Sequence, residues 1–147
     1  IKNSLHHARI VKLNDDEVRV LSPFFSTDSA NDLEFARHLL QHESQLELVC
    51  VTRGAGGCLA VSRTEMIDEP GIPVKVVDTV GAGDSFTAAL IATRLAGWPL
   101  QRAIPFANRV GSLVASHAGA MPILHRQFAE LRSEFIDDSV PACESCW

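Results

Sequence analysis

The run Asp78-Thr79-Val80-Gly81-Ala82-Gly83-Asp84 holds the densest chemistry in the chain. A short β-branched stretch, Val74-Lys75-Val76-Val77, precedes it. Phe86, Ala89, Leu90 and Thr93 follow at helical spacing. The pattern predicts a strand, a tight turn and a helix. Gly81 and Gly83 are residues that reach positive φ and let another group approach the backbone. Successive N–H groups at such a turn make a concave anion site. The helix start adds about half a positive charge aimed the same way. The turn therefore suits a phosphate, or the charge on a phosphoryl group in transfer. Neither GxxxxGK[ST] nor GxGxxG occurs, so the P-loop and the dinucleotide fingerprint are absent. An acid, Asp84, stands where a P-loop would carry its lysine. A carboxylate there repels phosphate unless it acts as general base, taking a proton from a hydroxyl that attacks phosphorus. The competing reading is that Asp84 only stabilises the helix start.

Asn14 and Glu17 are spaced as N-cap and N3 of a capping box, which needs no ligand. His38 and His42 could share a helix face, but no third ligand accompanies them, so a solvated face is the expectation. Cys143 and Cys146 form a CxxC that Cys50 and Cys58 do not complete into a zinc pattern. Four cysteines in 147 residues are too few for a disulfide scaffold, which fits a reducing, cytoplasmic setting. Acidic pairs such as Asp68-Glu69 and Asp137-Asp138 read as solvated.

These residues need elements to hold them. Ala8 to Leu13 reads as a buried strand, and Asn14 to Glu17 opens a helix that Ser22-Pro23 closes. Polar residues 26–29 could cap a second helix with Leu33, Ala36, Leu39 and Leu40 on its apolar face. Leu46 to Thr52 and Cys58 to Ser62 read as strands around the turn Arg53 to Gly57. Beyond the glycine turn, Gly97 and Pro99 stop one helix. A further helix is predicted over about 100–117, with small residues suggesting close packing, and a last one over 127–134. Strands alternating with helices argue for an α/β layer with a mainly parallel sheet. With 46% hydrophobic and 21% charged residues the chain is an ordinary globular one. Its net charge of −5 argues against a nucleic-acid binder with a broad basic face. Its apolar runs are far short of the ~18 residues of a membrane span.

The string Val76-Val77-Asp78-Thr79-Val80-Gly81-Ala82-Gly83-Asp84-Ser85-Phe86 resembles the DTxGAGDxF signature of the ribokinase-like (PfkB) carbohydrate kinases. Lys12 to Glu17 looks like that family's NxxE motif, and Thr52 to Gly57 like its TxGxxG turn. Phe106-Ala107-Asn108, with Ala118-Gly119-Ala120, looks like the helix and loop that close over adenine. The resemblance implies a Rossmann-like three-layer ribokinase fold, of which residues 1–136 would be the C-terminal nucleotide-binding and catalytic part and 137–147 a flexible tail. It implies ATP-dependent phosphorylation of a sugar hydroxyl, with fructose the first candidate. Asp84 would be the base, and the N–H groups of Gly81, Ala82 and Gly83 the anion hole. Thr52, Gly54 and Gly57 would lie along ATP, and Asn108 near adenine or ribose. Asn14 and Glu17 would organise Mg²⁺ and phosphate, Glu17 through water. Asp78 would help hold a monovalent cation, usually K⁺, with carbonyls near Val80, Val114, His117 and Gly119.

The family's sugar-binding part is not recognised in this chain, which begins without Met. The donor half of a site is expected here, the acceptor half is not, and self-association through an uncovered surface is expected. A non-catalytic nucleotide- or anion-binding module is the second reading.

Overall fold

The computed structural model describes residues 2–27 and 31–136. The chain divides into two compact units, residues 1–71 and 72–147.

The first unit is a four-stranded sheet with helices. Helix α1 (Lys2–His7) leads into β1 (Ile10–Asn14), and α2 (Asp15–Leu21) follows at once. Asn14 is the N-cap of α2: its side chain accepts from the Glu17 N–H at 2.7 Å, and the Glu17 carboxylate accepts from the Asn14 N–H at 2.7 Å. Pro23 stands at the start of a single 3₁₀ turn, Ser22–Phe25, where its missing N–H costs nothing. Helix α3 (Asp32–His42) is capped by Asn31, not by the polar run at 26–29, part of which lies outside the described residues. Phe35, Ala36, Leu39 and Leu40 of α3 are buried in one cluster with Val49, Val51, Leu59 and Val61 of the sheet. Burying each large side chain there is worth about 1.5–3 kcal/mol.

Strand β2 (Leu48–Thr52) pairs with β1 in parallel, while β3 (Gly57–Ser62) and β4 (Met66–Pro70) continue antiparallel in the order β1-β2-β3-β4. The sheet is thus mixed, with one parallel and two antiparallel pairings among the described strands, and not mainly parallel as expected. The added strand is β4. Its sequence, Met66-Ile67-Asp68-Glu69-Pro70, has poor strand propensity and is recruited by pairing with β3. Val74 to Val77, expected as a strand, forms none, and Val76 and Val77 are more than half exposed.

The second unit is helical: α4 (Ala82–Leu95), α5 (Leu100–Ala115) and α6 (His125–Phe135). Gly97 (φ 79°) ends α4 as expected. Gly111 of α5 is buried against the first turn of α4; a Cβ there would sit 3.2 Å from the Ala82 carbonyl oxygen. Small residues in α5 thus allow close helix packing. Trp98, Phe106 and Phe135 form a ring series with centroids 5.4 Å apart at each step. No helix among the described residues is long and apolar enough to cross a membrane.

Candidate active site

Asn14, Glu17, Thr52, Gly54 and Gly57 lie in the first unit. Asp78, Val80, Gly81 to Asp84, Asn108, Val114, His117 and Gly119 lie in the second.

In the first unit the candidates gather at one end of the parallel pair. Asn14 and Thr52 are register partners at the last positions of β1 and β2. The C-terminal ends of parallel strands are where open α/β sheets take ligands. Thr52 Oγ1 donates to the Leu13 carbonyl at 3.3 Å, which ties the two strand ends together. Beyond Thr52 the chain turns tightly: Arg53 N–H donates to the Gly57 carbonyl at 2.8 Å, and Gly56 N–H to the Arg53 carbonyl at 2.9 Å. Gly54 has φ 53° and open space where a Cβ would be, so nothing in the described protein occupies that face. Gly57 is different. It is buried at φ 89°, and a Cβ would sit 2.1 Å from the Glu69 carbonyl oxygen. The β3–β4 crossing thus accounts for Gly57 without a ligand.

Arg53 carries weight that its sequence neighbours did not signal. Its guanidinium donates to Asp32 at 2.6 Å and to Asp68 at 2.6 Å, clamping the turn to the start of α3 and to β4. The hydrogen bond to Asp32 leads in raising its pKa. Both acids are remote in sequence, so no local pattern could reveal the pairs. The Glu17 carboxylate is exposed, with the capping box fixing its direction. One solvated carboxylate beside an amide oxygen suits Mg²⁺, which keeps several waters and takes few protein ligands.

In the second unit the glycine turn is held from behind. The Ala115 carbonyl, at the end of α5, accepts from the N–H groups of Val77 (2.9 Å) and Asp78 (3.2 Å). The Asp78 carboxylate accepts from the Val80 N–H at 3.0 Å and from the Gly119 N–H at 3.1 Å. These bonds, led by that from Val80, hold the Asp78 carboxyl below its usual range. Asp78 thus clasps two loops 41 positions apart, the loops that the family resemblance gathers around one cation. Each Asp78 oxygen takes one N–H and keeps a further lone pair, so a cation remains compatible with it. The Val114 carbonyl accepts from the His117 N–H at 3.0 Å, and His117 Nδ1 lies 2.9 Å from the Leu113 carbonyl. Both are engaged in closing the end of α5.

Gly81 is the left-handed N-cap of α4 at φ 81°. Its Cα lies so close to the next loop that a Cβ would be 2.2 Å from the Ala120 carbonyl oxygen. Gly83, expected as a second residue able to take positive φ, is an ordinary helical residue of α4. The Ala82 N–H turns back to the Thr79 carbonyl at 3.3 Å, and the first bond of the helix is Ser85 N–H to the Gly81 carbonyl at 2.9 Å. The N–H groups of Gly83 and Asp84 therefore open the helix without intrahelical carbonyls. Asp84 is exposed in this first turn. Asn108 is buried in α5. A helix start with donors, an exposed carboxylate and a rigid turn behind can hold an anion and accept a proton beside it.

No group of three or more His, Cys, Asp or Glu suited to a metal occurs among the described residues. His38 and His42 stack on each other with centroids 4.1 Å apart, with His42 Nδ1 2.8 Å from the His38 carbonyl. Cys143 and Cys146 lie outside the described residues.

Residues 1–126 match the model of the pfkB family carbohydrate kinases. The chain belongs to this family. A fructokinase of Salmonella thompson is 35% identical over 133 residues, covering 86% of this chain and 58% of that protein. A fructokinase of Escherichia coli is 34% identical over 142 residues, covering 91% and 43%. The chain thus spans about half the length of these pfkB relatives. An aminoimidazole riboside kinase of Salmonella enterica, solved with aminoimidazole riboside and an ATP analog, superposes with a TM-score of 0.70 at 28% identity. That match covers 90% of this chain and 44% of the other. A ribokinase of Thermotoga maritima gives a TM-score of 0.78 at 24% identity, again over 90% and 44%, and shows the shared α/β ribokinase-like fold.

Proposed function

We propose that this chain carries the phosphoryl-donor and proton-accepting part of an ATP-dependent sugar kinase. The observation that carries the reading is Asp84, exposed in the first turn of α4 beside the left-handed cap Gly81. In this reading the sugar hydroxyl gives its proton to the Asp84 carboxylate as its oxygen attacks the γ-phosphorus. The helix start stabilises charge on the transferring group. The donors that suit this are the N–H groups of Gly83 and Asp84 more than that of Ala82, which is turned to Thr79. Thr52 and Gly54 lie along ATP and Asn108 near its adenine or ribose. Asn14 and Glu17 hold Mg²⁺ through water; bound there, the ion neutralises phosphate charge. A monovalent cation, K⁺ in the family, sits behind the turn at Asp78. Fructose is the first sugar to test, because both relatives described above are fructokinases.

A second reading is a nucleotide-binding module without turnover, since Thr52, Gly54 and Asn108 suit a nucleotide without calling on Asp84 as a base. Positioning both substrates supplies about 7–11 kcal/mol of a barrier, and a donor half alone forgoes most of it. In that case this chain binds nucleotide weakly and self-associates. A screen of fructose, ribose, 2-keto-3-deoxygluconate and nucleosides with Mg-ATP, reading ADP release, separates the two. Turnover of one sugar supports the first reading, and nucleotide binding without turnover supports the second.

A further inference from the structure

Cys50 on β2 and Cys58 on β3 are both fully buried, and phosphoryl transfer as proposed above uses neither. Cys50 opposes Ala60 and Cys58 opposes Thr52, so the thiols share a sheet face as diagonal neighbours two residues out of register. Both are free thiols. The neighbouring Cys58 thiol, followed by burial, pushes the Cys50 thiol up. On the other side of β2, Lys12 is the register partner of Cys50. Lys12 is half-buried and close enough to act on Cys50 by its charge.

The geometry selects among uses of such a pair. Diagonal neighbours have Cα atoms about 7–8 Å apart. An unstrained disulfide spans about 4.4–6.8 Å, so a direct S–S bond is disfavoured. A single ion bridging two sulfurs tolerates the wider separation, and paired thiolates select soft d¹⁰ ions over harder divalent ones. A buried ion must also be paired in charge. Two thiolates on a monovalent cation carry one net negative charge, which the Lys12 ammonium can balance.

We propose that Cys50 and Cys58 form a two-coordinate site for a monovalent d¹⁰ cation of the Cu(I) class, with Lys12 as counter-charge. On binding, two S–H bonds break and two sulfur–metal bonds form. Both protons leave to water, and no electron is transferred. The site lies at the base of the Arg53 to Gly57 turn, because Cys58 directly follows Gly57 and opposes Thr52. Occupancy would alter that turn; this consequence rests on the nucleotide reading, whereas the site itself does not.

The test uses Ag(I) as a redox-inert probe and the full chain carrying Cys143→Ser and Cys146→Ser, which removes the competing CxxC. Native mass spectrometry and competition titration should find one Ag(I) per chain. Cys50→Ala and Cys58→Ala should each abolish it while far-ultraviolet circular dichroism stays unchanged. Lys12→Met should weaken Ag(I) binding by roughly tenfold or more through the lost charge, and should leave Hg(II), whose bis-thiolate is neutral, unaffected. No Ag(I) uptake, uptake that survives both alanine variants, or an equal effect of Lys12→Met on the two ions would overturn the proposal. If one alanine variant fails to fold, the other and Lys12→Met still decide. No kinase assay enters, so failure of this site and failure of the kinase reading are read separately.

Discussion

A Cβ on Gly81 would meet the Ala120 carbonyl oxygen at 2.2 Å, and φ of 81° already strains any L side chain there. Gly81→Ala should therefore destabilise the protein by roughly 1–3 kcal/mol or more, read from the denaturant midpoint. Gly83 occupies a helical position in α4. Gly83→Ala should fold with stability equal or higher by up to about 1 kcal/mol. If the kinase reading holds, it loses turnover because the new Cβ crowds the approach to the transferring group. A Gly83→Ala protein that unfolds early, with normal turnover per folded molecule, would mean the glycine serves only the backbone. Asp78 gives a pH prediction. Its folded pKa is depressed by the N–H groups of Val80 and Gly119. The clasp therefore contributes fully above the unfolded value near 3.8 and is lost as pH falls through the lower folded value. Hydrogen exchange at the Val80 and Gly119 amides should rise in that acid window and be raised already at pH 7 in Asp78→Ala. Unchanged exchange in the variant would show that the clasp does not hold the loops.

Among the elements, the β2–β3 hairpin depends on Arg53. Its guanidinium is about a quarter exposed and reaches two carboxylates, one of them, Asp68, well exposed. Arg53→Ala should cost on the order of 1 kcal/mol, since partly exposed pairs are screened. The effect should appear as faster exchange in residues 53–57. Arg53→Lys should recover only part, because lysine lacks the fork that spans both acids. What was readable in the sequence follows the range of each interaction. The capping box at Asn14, the stop at Gly97 and the apolar face of α3 are set by residues within a few positions, and all three formed. The strand expected at Val74 to Val77 failed because β-branched propensity does not supply a pairing partner. β4 has little propensity but gains a ladder with β3. The close contacts of Gly57 and Asp78 come from Glu69 and Gly119, far along the chain, so no local pattern announces them.

For the whole molecule, the motif order identified the family, and its α/β class held in the structure. The mixed sheet was not legible, because strand direction depends on which edges meet. Leu95, Met121 and Ile123 of the second unit are each more than three-quarters exposed. Among the described residues strand β1 has a neighbour on one side only. Bare sheet edges and apolar side chains favour association. Sedimentation should show this chain self-associating at micromolar concentration, and a strictly monomeric chain would count against that reading. Calorimetry should find weak binding of Mg-ATP to this chain alone. Whether Asp84 is the base of a sugar kinase is decided by Asp84→Asn in the longest form of the protein that phosphorylates a sugar. In that variant kcat should fall by ~10²–10⁴ with the KM for ATP little changed. Near-normal kcat in Asp84→Asn would rule out Asp84 as the base.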